Sequence, residues 1–132
     1  MDSTDQMTQK WLDRVRYDLD TATAMLQARR YIYVIFMCQQ AVEKCLKALI
    51  SYQQKEVYPI HNLRRLAEVA GIIEDLDEPI LLKLDFLSRY YLDSRYKEDI
   101  RELARGITES LSQEFVRFAE EMIQWLCQKM KS

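Results

Sequence analysis

Along most of this chain apolar side chains return in steps of three and four, the spacing of one face of an α-helix. The first such stripe, Leu12, Val15, Leu19, Ala22 and Leu26, predicts a helix from about Thr8 to Arg29. Arg14, Arg16, Asp18 and Asp20 fall mostly off the stripe, and Trp11 anchors one end of it. The next segment gives mixed signals. Tyr31 to Met37 is aromatic and β-branched, which alone favours a strand. No Gly, Pro or Asn separates it from a strongly helical continuation, however. One long helix is therefore predicted from about Tyr31 to Gln54, apolar all round at its start and so buried there. Its later turns hold Glu43 and Lys47 at the favourable i,i+4 spacing.

Beyond Pro59, Asn62 is placed to cap a short helix, LRRLAEVA, closed by Gly71. Asp77 reads as an N-cap with Pro79 in the first turn, opening a helix from roughly Glu78 to Tyr91 that buries Leu81, Leu84 and Leu87. The stretch LDSRYKED breaks the apolar rhythm and predicts a loop. A last helix begins between Thr108 and Ser112, with Phe115, Phe118, Met122, Trp125 and Leu126 on one side. The pattern implies an all-α fold: one domain, 1–132, built as an up-and-down antiparallel bundle of four to five helices.

Composition sharpens this. The chain holds two Gly and two Pro, where average usage is roughly 12% for the pair, so a turn-rich sheet protein is excluded. An odd count of three Cys, and a start (MDSTDQMTQKW) without basic run or apolar stretch, point to a cytoplasmic protein with free thiols. No apolar run approaches the roughly 20 residues of a membrane span. A net charge of −2 with well-mixed signs excludes a globally basic nucleic-acid binder but leaves room for a local patch. Cys38 and Cys45 share a helical face with Ile35, Val42 and Leu49, where free cysteine behaves as a small hydrophobe. Cys127 and the single His61 complete no zinc pattern, and Cys-x-x-Cys is absent, so no metal or cofactor is expected.

Five features in order carry a resemblance. They are Trp11 with Asp18 and Leu19, then YIYVIFMCQQAVEKCLKALI, PIHNLRRL, SRYYLDSRY, and a final amphipathic helix with Trp125. From about Lys10 to Lys129 the chain resembles the HEPN family, most specifically in the run from Gln40-Ala41 through Glu43-Lys44 to Lys47-Ala48-Leu49. The resemblance implies a helical bundle that pairs as a homodimer. Many such proteins act beside a minimal nucleotidyltransferase in a toxin–antitoxin pair. The toxin branch cuts RNA with an Arg, four to six residues, then a His. That signature is absent here: beyond Arg89 stand Ser94, Arg95 and Tyr96, and beyond Arg95 stand Ile100, Arg101 and Glu102. The chain is instead similar to the branch with an Arg-Tyr pair in this loop, Arg95-Tyr96.

Arg89, Arg95, Lys97, Arg101 and Arg105 form the densest basic stretch, interleaved with Tyr90, Tyr91 and Tyr96. That mixture suits phosphate contact with base stacking, although Asp93, Glu98, Asp99 and Glu102 nearly cancel its charge. The candidate binding residues are Arg89, Tyr90, Arg95, Tyr96, Lys97 and His61, with no catalytic residue assigned. In related pairs the transferase attaches a nucleotide to a loop tyrosine, a role the resemblance offers Tyr96. His61, at a helix start, either points into a cleft or donates to a nearby carbonyl. Arg64 and Arg65 read as solvent-facing. Eight Tyr, four Phe and two Trp are more than one small bundle hides, which also favours a homodimer. The reading is thus a non-catalytic homodimeric module for a nucleotidyltransferase, a nucleotide or RNA. The alternatives are a ribonuclease using Arg and Tyr without the usual His, and a purely structural bundle.

Overall fold

The helix starting at Tyr31 is the axis of the molecule. A computed structural model describes residues 3–91 and 100–131. Among them are α1 (Ser3–Gln27), α2 (Tyr31–Tyr52), α3 (Leu63–Val69), α4 (Glu78–Ser88), α5 (Ile100–Ala104) and α6 (Glu109–Gln128), with one 3-10 turn at Ile73–Asp75 and no strand. The aromatic, β-branched start of α2 is helical because it is enclosed: Ile32, Val34, Ile35 and Phe36 are all buried. Tertiary burial overrides local strand preference there. The face that carries Ile35, Cys38, Val42, Cys45 and Leu49 is buried throughout.

Contacts fix the direction of each helix. Thr8, early in α1, hydrogen-bonds Ser51, late in α2, while Asp18 pairs with Lys44, so α1 and α2 are antiparallel. Ser112 at the start of α6 donates to the Tyr31 carbonyl, and Cys45 lies 4.0 Å from the Ile123 carbonyl, so α6 runs with α2. Phe86 of α4 stacks on Phe115 of α6 at 4.8 Å, and Asp75, just before α4, meets Lys129 at the far end of α6. Helices α1, α2, α4 and α6 therefore alternate in direction as an up-and-down bundle. The short α3 and α5 bring the number of α-helices among the described residues to six, against four to five expected from the sequence.

The ends follow from local chemistry. Asn62 accepts from Arg65 N at 2.9 Å, Asp77 from Ile80 N at 3.0 Å and Thr108 from Leu111 N at 3.1 Å, satisfying amides that an α-helix leaves open. Helix α3 closes at Gly71, whose φ of 73° is the left-handed conformation that only glycine adopts freely. Helices α1 and α2 close in the same way without glycine. Arg29 and Gln54 hold φ of 61° and 62°, and the following amides, Arg30 N and Lys55 N, reach back to the Met25 and Ile50 carbonyls at 2.9 and 3.2 Å. Helix α4 ends at Ser88, short of the predicted Tyr91. The predicted loop, LDSRYKED, lies outside the described residues.

Candidate functional site

A polar line runs through the otherwise apolar α2. Gln39, Glu43 and Lys47 stand four residues apart, one above another on one face, and are only 0, 4 and 5% exposed. Buried charges persist only when paired and hydrogen-bonded. Here Glu43 Oε2 accepts from Lys47 Nζ at 3.0 Å and Glu43 Oε1 accepts from Gln39 Nε2 at 2.9 Å. The same Gln39 amide donates to the His61 carbonyl at 3.1 Å, and its oxygen accepts from Gln40 Nε2 at 2.7 Å. The Trp11 ring of α1 lies 5.8 Å from Lys47 Nζ, a cation–π contact that covers the ammonium from the other side.

His61 completes the network. Its Nδ1 lies 3.1 Å from each oxygen of Glu43. A carboxylate only accepts, so Nδ1 carries the proton and the imidazole is fixed in that orientation. The ring stacks on Tyr91, with centroids 3.8 Å apart and planes 10° from parallel. The His61 side chain remains 37% exposed, so an edge of the anchored ring faces outward. The backbone that delivers these two rings is tied together locally. Leu63 N donates to Ser88 Oγ at 2.9 Å, joining the start of α3 to the end of α4, from which Tyr91 follows. Arg64 adds a two-pronged pair to Asp85 at 3.0 and 2.7 Å. The hydrogen bonds from Arg64, helped by its charge and that of Arg89, hold the Asp85 carboxyl below the ordinary carboxylate range. Arg64 is thus half-buried and engaged, where a solvent-facing residue was expected, while Arg65 is exposed.

The candidate residues divide by position. His61 is in the network, and it donates to a carboxylate rather than a carbonyl. Arg89 is exposed at the C-cap of α4. Tyr90 packs its ring against Phe86 at 5.1 Å and Phe36 at 6.3 Å. Arg95, Tyr96 and Lys97 lie outside the described residues. Among the described residues no group of three or more His, Cys, Asp or Glu is disposed to hold a metal ion, and no helix is long and apolar enough to cross a membrane. Sequence reasoning missed Glu43 and Gln39 as partners of His61. The signal was available: polar residues at steps of four on a helix apolar elsewhere must find partners inside the protein.

The family model described as the HEPN domain matches residues 8–130. The chain belongs to the HEPN family. Its fold is similar to that of ST0689, described as an archaeal HEPN homologue, with a TM-score of 0.71 and 25% identity over 94% of this chain and 98% of that one. It is also similar to TT1696 from Thermus thermophilus, with a TM-score of 0.74 and 25% identity over 92% and 97% of the two chains. Among curated proteins none matches.

The cysteines of this HEPN protein differ in character. Burial, with the negative charge of Glu120, pushes the Cys38 thiol up to about 12. Cys45 and Cys127 meet between α2 and α6 in a thiol hydrogen bond that raises Cys45, which is also buried, and lowers Cys127. Lys131 and Arg16 add positive charge, and Cys127 falls to about 7. The thiolate is the nucleophile. Alkylation of Cys127 is therefore expected to be slow at acidic pH and to rise to half its plateau rate near pH 7. Cys38 and Cys45 should label only as fast as the bundle opens. Mass spectrometry of time points at several pH values checks this, and fast labelling of Cys38 would contradict it.

Proposed function

We propose that this HEPN protein is a homodimeric recognition module for a phosphate-bearing ligand, a nucleotide or RNA, in company with a minimal nucleotidyltransferase, and that its ligand face centres on His61. One observation carries this reading: the imidazole is anchored through Nδ1 to a buried carboxylate, braced by Tyr91, and partly open to solvent. A surface histidine with no task has no need of a three-residue buried support. In this reading Arg89 contributes phosphate contact from the end of α4, and Arg95, Tyr96 and Lys97 meet the ligand or the partner enzyme from the segment that follows Tyr91.

A second reading has its own support. A carboxylate bonded to one imidazole nitrogen, with the other left for chemistry, is the arrangement used in acid–base catalysis. His61 would then replace the histidine missing from the Arg-x4-6-His pattern, and the protein would cut RNA. One experiment separates the readings. The purified protein, expected to sediment as a dimer rather than a 15.8 kDa monomer, is titrated with a fluorescent ATP analogue and with a labelled single-stranded RNA. His61→Ala should weaken binding about tenfold or more, the loss of one hydrogen bond to a charged group. RNA that stays intact supports recognition. Cleavage that disappears with His61→Ala moves the assignment to the ribonuclease. Unchanged binding in that variant removes His61 from the site.

A further inference from the structure

Where α1 gives way to α2, a second recess opens, lined by none of the His61 network. Arg29, Arg30, Tyr31 and Tyr33 line one side, and Ile100 and Arg101 of α5 close the other, around a volume of about 390 Å³. Among the described residues no carboxylate lines it. Three arginines and two tyrosines thus stand among the residues around one concavity, in a chain whose acids outnumber its bases, 21 to 19.

Two of these arginines are free of carboxylates, as Arg14, Arg16, Arg89 and Arg117 are elsewhere among the described residues. By contrast, Arg64 pairs with Asp85, Arg65 with Glu68 and Arg105 with Glu102. Among the described residues neither Arg29 nor Arg30 has a carboxylate partner. Arg29 moreover occupies the left-handed position that ends α1, at φ 61°, where glycine is favoured and a side chain is strained. Arg29 holds this conformation while standing among the residues that line the recess. Strained positions of this kind concentrate at functional sites.

The lining chemistry selects its occupant. Guanidinium forks match phosphate oxygens in pairs, and exposed aromatic faces stack on bases. Tyr33 is 40% exposed and is held by Phe36 in an edge-to-face contact at 5.6 Å, so its ring is both steadied and accessible. We infer that this recess is a second phosphate site, binding a nucleotide phosphate between Arg29 and Arg30 with Tyr33 beside the base. This goes beyond the His61 reading and shares no residue with it. A free nucleotide and an RNA strand present the same chemistry.

Two glycine substitutions make the test sharp, because Arg29 and Gln54 share a backbone conformation but Gln54 is absent from the recess. Arg29→Gly and Gln54→Gly should both raise the melting temperature, since each relieves left-handed strain. The fluorescent ATP analogue and the labelled RNA are then titrated into each variant. Arg29→Gly should weaken binding about tenfold despite its higher stability, and so should Arg30→Ala, while Gln54→Gly should bind as the parent does. Weakening seen with both probes assigns the site to nucleotides generally, and weakening seen with RNA alone assigns it to the strand. Arg29→Gly and Arg30→Ala binding both probes as the parent does would overturn the inference. If His61→Ala weakens binding and the arginine variants do not, the His61 reading stands and this one falls. The converse result leaves this site and removes that one. A parent protein that binds neither probe removes both.

Discussion

Replacing Glu43 with alanine is expected to destabilise this HEPN protein by about 3–5 kcal/mol, the usual cost of stranding the partner of a buried ion pair. The substitution removes the one acceptor shared by Lys47 Nζ, Gln39 Nε2 and His61 Nδ1. Lys47, only 5% exposed, would keep its charge in the bundle without an anion. Urea denaturation reads the effect as a lower midpoint at unchanged slope. The double variant Glu43→Leu with Lys47→Met should regain most of the loss, because burying two apolar side chains leaves no charge unpaired. That variant would also leave His61 without its anchor, so a stable protein with weakened ligand binding is the expected combination. A single Glu43→Ala variant losing less than about 1 kcal/mol would show that Lys47 reaches water by another route, and the network would lose its structural weight.

Truncating Phe36 to alanine should cost a comparable amount, about 3–5 kcal/mol, for a different reason. Phe36 is 2% exposed and its ring meets Tyr33 at 5.6 Å and Tyr90 at 6.3 Å. The chain of rings continues from Tyr90 to Phe86, Phe115 and Phe118, so one aromatic seam joins α2, α4 and α6. Removing its first buried ring leaves a cavity at the junction of these helices and withdraws support from Tyr90. Phe36→Leu, which keeps most of the volume, should cost under about 1.5 kcal/mol. Equal losses for the two variants, measured by the same denaturation, would indicate that ring packing is not what Phe36 provides.

Much of the bundle was legible because its helices obey one rule, that apolar residues at steps of three and four must be covered. Leu12, Val15, Leu19, Ala22 and Leu26 announce α1, and Leu81, Leu84 and Leu87 announce α4. The caps were legible for a similarly local reason: Asn62, Asp77 and Gly71 act on amides and carbonyls within a turn of themselves. The five-residue α5 was not, since one turn and a half carries no period to detect. Nor was the meeting of His61 with Glu43 and Tyr91, which are 18 and 30 positions away in sequence and joined only by how α3 and α4 pack. Arg64 was misjudged for the same reason, because its partner Asp85 comes from another helix. From the sequence Cys127 only failed to complete a zinc pattern with His61, and nothing there pointed to its neighbour in space, Cys45.

Both candidate sites hang from α2, the arginine recess at its opening turn and the His61 site at Glu43. A continuous α-helix rises about 1.5 Å per residue, which sets Tyr31 and Glu43 about 18 Å apart along the axis. That span acts as a ruler. A single nucleotide is too short to touch both ends of it, so small ligands would occupy the two places separately, two to a chain. A strand several nucleotides long reaches from one to the other and counts once.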